Sequence, residues 1–244
     1  MTAARPTLRP LQAIEDGWAA FARAPWTFLL FELLAGAISL LFALLVIGGG
    51  SRLTGLIETP HTAVAWVGLL LGLVGYVITT TWGMVGLVRG AHESLQGNRP
   101  AFATFTRFDG AIWSLIWRWL VVGLALTLIK LVFGAVGFLV YSLNAVLVLI
   151  PLVTAIALAL YLLVNHQFFL QITLFEESNL IETIQRGRSL NDPRWWRMLG
   201  FITTLTLVNL LLGLLVLYTG FIVAIPLMLC ISTAAYLQLR DQLN

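Results

Sequence analysis

Six long apolar runs separated by short polar segments dominate the chain. The hydrocarbon core of a bilayer is about 30 Å thick, so a helix needs about 20 predominantly apolar residues to cross it. Each run is about that long. The pattern therefore predicts an all-α polytopic membrane protein with six transmembrane helices, at 26–48, 63–88, 112–134, 147–171, 196–217 and 220–238.

The boundary between the third and fourth runs is the least marked. Residues 134–150 are apolar almost throughout, and only Tyr141, Ser142 and Asn144 interrupt them. Polar and turn-forming residues are the usual sign of a connection between helices. The turn is therefore predicted at these three residues.

Short amphipathic segments precede the first, third and fifth runs. In the first segment, Leu11, Ile14, Trp18 and Phe21 recur at helical spacing and share one face. A helix of this kind lies in the membrane interface with its apolar face toward lipid. We therefore predict three amphipathic helices on the cytoplasmic side.

The chain also shows internal similarity. Arg99-Pro100 and Asp109-Gly110 echo Arg9-Pro10 and Asp16-Gly17. Ile150-Pro151-Leu152 recurs later in the chain as Ile225-Pro226-Leu227. These matches predict one integral membrane domain, 1–244, built from three parallel helix-plus-hairpin repeats at about 9–90, 99–172 and 177–240. A single constant shift along the chain pairs Leu11, Ile14, Gly17 and Trp26 with Ile181, Ile184, Gly187 and Trp196.

Composition and charge exclude several classes of protein for this chain. Hydrophobic residues make up 59% and charged residues 10% of the chain, which excludes a soluble globular enzyme and a disordered chain. The net charge is +3, and the basic residues flank apolar runs. Anionic lipid headgroups are therefore the predicted partners, and nucleic acid is not. Lys130 is the only lysine and the other basic residues are arginines, which suggests a bacterial origin.

The arginines are distributed very unevenly between the two predicted sides of the membrane. Arg52 alone falls on one side. Because cytoplasmic loops carry the excess of Lys and Arg, both termini are predicted to be cytoplasmic in a multi-pass protein of the bacterial inner membrane. The first apolar run is too long for a cleavable signal peptide. The arginines on the other side are Arg5, Arg9, Arg23, Arg89, Arg99, Arg107, Arg118, Arg186, Arg188, Arg194, Arg197 and Arg240.

Small residues form a continuous face along the second run. Such a face allows close packing of helix backbones, within the chain or between protomers of a homo- or hetero-oligomer. Lining a narrow path is the alternative. Pro151 and Pro226 are predicted to kink their helices, for shaping or for gating. The members of the small-residue face are Gly68, Gly72, Gly75, Thr79, Gly83, Gly86 and Gly90.

Glu32 and Lys130 are the ionisable residues placed within predicted spans. A charge there costs several kcal/mol unless it is paired or hydrated. Glu32 lies about 9 Å and Lys130 about 27 Å from the cytoplasmic ends of their spans, as the rise of an α-helix requires. That difference in depth argues against an ion pair. Lys130 is predicted to snorkel outward and Glu32 to meet cytoplasmic groups, with a proton or substrate role as the alternative.

Asn165 and His166 lie near the cytoplasmic end of the fourth span. An interhelical hydrogen bond is the first interpretation of His166, and titration near neutral pH is the second. The sequence contains no metal-ligand spacing, P-loop or serine nucleophile motif. No catalytic residue, metal or cofactor is therefore predicted.

The order of these features resembles a bacterial family. An amphipathic helix, a hairpin, the segment Glu182 to Leu190, Trp195-Trp196-Arg197 and a final Ile-Pro-Leu hairpin follow one another along nearly the whole chain. This order is similar to that of the six-span integral membrane proteins that include the glycerophosphoryl diester phosphodiesterase membrane domain. The resemblance implies a membrane domain without an established activity. A phosphodiesterase barrel needs about 250 residues of its own, for which this chain has no room.

Three functions remain open at this point. The first is a non-catalytic scaffold, accessory or assembly subunit of a membrane complex or lipid process. The second is a transporter or channel for a small solute or ion, whose working residues would be Glu32, Lys130, Pro151, Pro226 and His166. The third is a membrane-embedded lipid enzyme, for which Glu32 and the arginines are the only candidate site.

Overall fold

The computed structural model describes residues 8–55, 62–176, 178–215 and 219–241. Over these ranges the protein is helical and contains no strand. Two 3₁₀ turns, Ala145–Val148 and Asp192–Arg194, connect helices. The α-helices are α1 (Pro10–Arg23), α2 (Pro25–Leu53), α3 (Thr62–Leu95), α4 (Phe102–Thr106), α5 (Gly110–Leu143), α6 (Leu149–Asn165), α7 (Phe169–Phe175), α8 (Leu180–Asn191), α9 (Trp195–Leu215) and α10 (Thr219–Asp241).

Five segments of the described chain are long and apolar enough to cross a membrane. They correspond to the first four predicted spans and to the sixth. The fifth predicted span, 196–217, lies on α9 and runs into residues 216 and 217, outside the described residues. The helical, membrane-compatible fold is therefore confirmed, whereas a sixth span stays a prediction. The five segments are Pro25–Leu53, Thr62–Leu95, Gly110–Leu143, Ala145–Phe175 and Ile222–Asp241.

Helix α5 is longer than the predicted third span, 112–134, because it continues to Leu143. The connection to α6 then begins at Asn144, whose side chain accepts a hydrogen bond of 2.9 Å from the Val146 backbone N–H. The Asn144 side chain thus starts the 3₁₀ turn that leads into α6. The turn lies where the polar residues predict it, but the helix before it continues well past its predicted end.

The predicted fourth span is interrupted near its end. Helix α6 ends at Asn165, and α7 begins only at Phe169. In the turn between them, the His166 backbone N–H donates to the Leu162 carbonyl, and its ring atom Nδ1 lies 2.9 Å from the same oxygen. The side chain therefore competes with the backbone for a carbonyl that helps to continue the helix.

The two prolines occupy different helical positions. Pro151 is the third residue of α6, where the backbone has no hydrogen-bonding partner within the helix in any case. It therefore shapes the start of α6 and removes no bond from its interior. Pro226 lies inside α10, where it does remove a donor.

The chain forms two compact units, residues 1–112 with 205–244, and residues 113–204. In the first unit, α2 and α3 run antiparallel along the small-residue face of α3. A Cβ added at Gly72 would lie 2.7 Å from the Val46 nitrogen, and one at Gly83 would lie 3.2 Å from the Ala35 Cβ. Gly75 faces the Phe42 ring at similarly close range. Small residues thus allow α2 to lie directly on α3.

Helix α1 packs on α10 in the same unit. Gly17 is buried, and a Cβ there would lie 2.5 Å from the Ile231 Cα. At the end of α1, the Ser94 hydroxyl donates 2.5 Å to the Ala20 carbonyl, and Arg23 donates to the Ser94 carbonyl. α1 therefore rests on α10 and is fastened to the end of α3.

Helix α8 packs on α6 in the second unit in a similar way. A Cβ added at Gly187 would lie 2.6 Å from the Asn165 carbonyl oxygen. The buried Asn191 side chain donates 2.9 Å to the Val164 carbonyl. A capping box between Asn179 and Glu182 starts α8.

The helix pairs α1–α2 and α8–α9 match closely under the constant shift that pairs Gly17 with Gly187. The same shift carries the start of α1, Pro10, onto Leu180, and the start of α2, Pro25, onto Trp195. Residues 11–41 and 181–211 have the same buried, half-buried or exposed class except at Thr27/Arg197 and Ile38/Val208. This pattern supports the proposed relation between the first and third repeats.

The predicted middle repeat fits the helix bounds less well. Its amphipathic helix is represented only by α4, which has five residues. Asp109-Gly110 stands at the start of α5, whereas Asp16-Gly17 lies inside α1. The two dipeptides that align in the sequence therefore occupy different positions in their helices.

Candidate functional site

A cluster of polar side chains in the first unit lies where α4 meets the end of α3. The Arg89 guanidinium donates to both Asp109 carboxylate oxygens at 2.8 and 2.7 Å, and to the Arg107 carbonyl at 3.0 Å. The Arg107 side chain adds a second ion pair to Asp109 at 3.1 Å. On the other side of α4, Thr104 donates 2.8 Å to the Glu93 carboxylate. The cluster therefore fastens the short helix to the long one.

The Asp109 carboxyl has a lowered pKa. Partial burial acts to raise it, but the Arg89 hydrogen bond, the Ala111 backbone N–H and the charges of Arg89 and Arg107 outweigh that effect. A carboxyl whose pKa is lower in the folded than in the unfolded state contributes stability above its unfolded value, about 3.9, and loses that contribution as the pH falls through its folded value. The pair is therefore acid-sensitive.

We expect Asp109→Asn to unfold more easily than the wild type at about pH 6, and we expect the difference to shrink as the pH falls below about 3.9, because only the wild type then loses stability by protonation of Asp109. Thermal unfolding in detergent at a series of pH values measures this convergence. A stability difference that stays constant across the series would show that the Asp109 charge does not contribute.

Arg118 links helices in the second unit, as Arg89 does in the first. Its guanidinium donates to the Thr183 hydroxyl at 2.8 Å, to the Thr173 hydroxyl at 3.3 Å and to the Ser178 carbonyl. These partners lie on α7, on α8 and between them, so one side chain of α5 binds three places in the chain. Thr183 is buried beneath it.

Asn165 lies at the contact between α6 and α8. Its amide nitrogen donates 3.0 Å to Asp192, and its backbone carbonyl faces both Gly187 and the amide nitrogen of Asn191. The Asn165 side-chain oxygen is buried without a hydrogen-bonding partner in the described chain. Of the predicted polar sites, Asn165 is therefore the one most clearly engaged in holding helices together.

Glu32 and Lys130 lie in different units, and neither side chain makes a hydrogen bond or ion pair with a described residue. Glu32 is half-buried in the second turn of α2. Lys130 is exposed on α5. Because α5 continues to Leu143, Lys130 lies about 20 Å before the end of the helix. The helix thus continues past the predicted end of the third span at residue 134, and the outward snorkelling of Lys130 stays a prediction.

A groove between α5 and α6 surrounds Lys130. Two adjoining cavities, of about 430 and 460 Å³, share Leu126, Lys130, Ala159 and Leu162. The α5–α6 groove, as we call these two cavities, extends from Trp119 and His166 at one end to Gly137 at the other. Its described lining is apolar apart from Lys130, His166 and Gln167. Among these described lining residues, Lys130 alone carries a permanent charge.

The small-residue face of α3 is occupied within the chain from Gly72 to Gly90. Beyond the contacts with α2, Gly86 faces Phe31 and Phe105, and Gly90 faces the Phe105 ring. Thr79 is buried, and its hydroxyl donates to the Gly75 carbonyl. Only Gly68, whose added Cβ would lie 4.0 Å from the Leu45 carbonyl, is loosely covered by the described chain. An oligomer through this stretch of α3 would have to displace α2 or α4.

No group of three or more metal-ligating side chains is found among the residues that the structure describes. Comparisons with protein-family models, with curated proteins and with solved structures give no match to this chain. The packing of the helices and the α5–α6 groove are therefore the features that bear on function.

Proposed function

We propose that the protein is a non-catalytic subunit of the bacterial inner membrane, with six spans and cytoplasmic termini, that acts as a scaffold or assembly factor for a membrane complex or lipid process. The supporting observation is α5. Although this helix has 34 residues, none of the side chains in its most apolar stretch is buried by the chain. A helix left so uncovered offers its sides to lipid or to another membrane protein.

The contacts of the polar residues also support a scaffold function. Arg89 and Asp109 hold α4 to α3, Arg118 holds α5 to α7 and α8, and Asn191 holds α8 to α6. These side chains link one helix to another through hydrogen bonds and ion pairs. This arrangement favours a structural function over catalysis, in keeping with the resemblance to the six-span family.

The side of α5 opposite the α5–α6 groove is the surface that we assign to a protein partner. Leu124, Leu128 and Leu131 lie there, with exposed fractions of 61%, 54% and 63%. Their spacing of four and three residues places them in one stripe of the helix. The packing of a partner helix on this stripe would be driven by van der Waals contact.

Site-specific photo-crosslinking in cells tests this assignment. A photoreactive residue at Leu128 is expected to give a discrete protein adduct, whereas one at Leu44, an exposed residue of α2, serves as the matched control. The scaffold proposal also predicts that Glu32→Gln preserves both the adduct and growth. An adduct pattern at Leu128 no different from that at Leu44, or loss of function in Glu32→Gln with the adduct intact, would contradict the proposal.

A transporter or channel for a small solute or ion is the second candidate, and the α5–α6 groove is the observation that favours it. Lys130 and His166 both line the groove. Substrate-dependent flux into liposomes that is lost in Lys130→Met would support this alternative. Absence of flux across a broad panel of solutes would leave the scaffold proposal.

A further inference from the structure

We propose that the α5–α6 groove receives a transmembrane helix of a partner protein, and that an aspartate or glutamate near the middle of this helix pairs with the Lys130 ammonium group. The inference goes beyond the scaffold function, because it assigns a second surface and states the chemistry of its occupant. The groove lies on the other side of α5 from the stripe of Leu124, Leu128 and Leu131.

The position of Lys130 on α5 creates the need for a countercharge. Trp117 precedes it and Tyr141 follows it on the same helix, and Trp and Tyr are typical of the two membrane interfaces. With α5 spanning the bilayer between these rings, Lys130 lies about 20 Å from one ring and about 17 Å from the other. Outward snorkelling on a four-carbon stem would leave the ammonium group short of either interface. A charge at such depth is costly unless it is paired or hydrated.

Neither the described chain nor a second copy of it provides this countercharge. The Lys130 side chain makes no ion pair or hydrogen bond with a described residue, and no acidic side chain lines either cavity. Glu32 is the only acidic residue of the predicted spans, and it lies in the other unit. In a second copy, Glu32 would be about 10 Å closer to the cytoplasmic face than Lys130. A different membrane protein is therefore the source of the carboxylate.

The groove has nearly the length of a membrane span. Trp119 lines one end and Gly137 lines the other, which places the ends about 27 Å apart along α5. The hydrocarbon core is about 30 Å thick. Acyl chains would cover the apolar walls but bring no charge to the depth of Lys130. A transmembrane helix with a central carboxylate does both.

Small residues in the groove allow a helix to approach closely. Gly134 and Gly137 line it on α5, and an added Cβ at either position meets nothing within 4 Å. At Gly72 of α3, by contrast, α2 already fills the corresponding space. Ala155 and Ala159 add two small side chains on α6. Small residues of this kind are typical of contacts between transmembrane helices.

The probe for this site is a synthetic single-span helix of leucine and alanine with one aspartate at its centre, and the control helix carries asparagine there. Binding is measured by fluorescence energy transfer between the labelled full chain and the labelled helix in vesicles of phosphatidylcholine. We expect the wild type to bind the aspartate helix about tenfold more tightly than the asparagine helix, because a contact between charged groups is worth about that factor or more. The preference should be lost in Lys130→Gln and kept in Lys130→Arg.

Exchange of the two charges tests the pair itself. Lys130→Asp should prefer a probe with a central lysine over the aspartate probe. An aspartate moved two turns toward either end of the probe would miss Lys130 by about 11 Å, so the preference should disappear. An undiminished preference in Lys130→Gln would overturn the proposal. So would equal binding of the aspartate and asparagine helices to the wild type, which is the result expected if Lys130 snorkels outward.

Two glycines of α5 locate the probe in the groove. Gly134→Leu fills the cavity and should weaken binding, whereas Gly123→Leu should leave it unchanged, because Gly123 is equally open but lines neither cavity. Equal effects of the two variants would contradict a site in the groove. Energy transfer between two copies of the chain that is lost in Glu32→Gln would identify a second copy as the occupant and overturn the proposal. Crosslinking at Leu128 tests the scaffold function separately, so the two proposals can fail independently.

Discussion

Gly17→Ala and Gly187→Ala are both expected to destabilise the protein by about 1–3 kcal/mol, the usual cost of forcing an extra carbon into a packed interior. In the first variant the new Cβ would lie 2.5 Å from the Ile231 Cα, which is backbone and has little freedom to move. In the second it would lie 2.6 Å from the Asn165 carbonyl oxygen. Unfolding by titration with sodium dodecyl sulfate in mixed micelles measures the loss.

Gly36→Ala and Gly200→Ala are the matched controls. Both glycines lie within helices, and an added Cβ meets nothing within 4 Å at either position. Replacing a helical glycine with alanine gains roughly 0.5–1 kcal/mol, so the controls should be slightly more stable than the wild type. Equal effects in all four variants would show that α1 and α8 do not pack as described.

Arg118→Leu is expected to cost about 2–4 kcal/mol, because hydrogen bonds to a charged group contribute about 1.5–3 kcal/mol each and several are lost together. The variant leaves the buried Thr183 hydroxyl without its strongest donor. The same titration in mixed micelles measures the change in the free energy of unfolding. Proteolysis of the 176–191 region gives an independent measure of the release of α8.

Two further variants define what Arg118 contributes. Arg118→Lys keeps the charge but loses the planar fork, so we expect an intermediate loss of stability. Arg52→Leu removes an exposed arginine whose side chain makes no hydrogen bond or ion pair with described residues, and it should change little. If Arg118→Leu were as stable as Arg52→Leu, the link between α5 and α8 would be absent.

Much of the fold follows from hydrophobic periodicity. The apolar runs predict the long helices, and the spacing of Leu11, Ile14, Trp18 and Phe21 predicts α1. The constant shift that pairs Gly17 with Gly187 also matches two positions where another helix approaches closely. The shift indicates that the two glycines correspond, but it does not indicate which helix each of them contacts.

The end of α5 at Leu143 was not predictable, because residues 134–143 are apolar and hydropathy does not mark where the helix ends. Nor were the partners of Arg118, which lie 55 to 65 residues away along the chain. Local spacing carries no information about contacts at that separation. By contrast, the Asn179 and Glu182 capping box is a local signal from which the start of α8 can be located.

The most direct test of the membrane arrangement is labelling of single added cysteines in intact cells with a membrane-impermeant maleimide. The native Cys230 is buried, so the wild-type chain serves as the unlabelled control. We predict that Arg52→Cys is labelled from outside the cell, whereas Arg99→Cys and Arg188→Cys are labelled only after the membrane is permeabilised. External labelling at Arg99→Cys or Arg188→Cys would contradict a six-span protein with both termini in the cytoplasm.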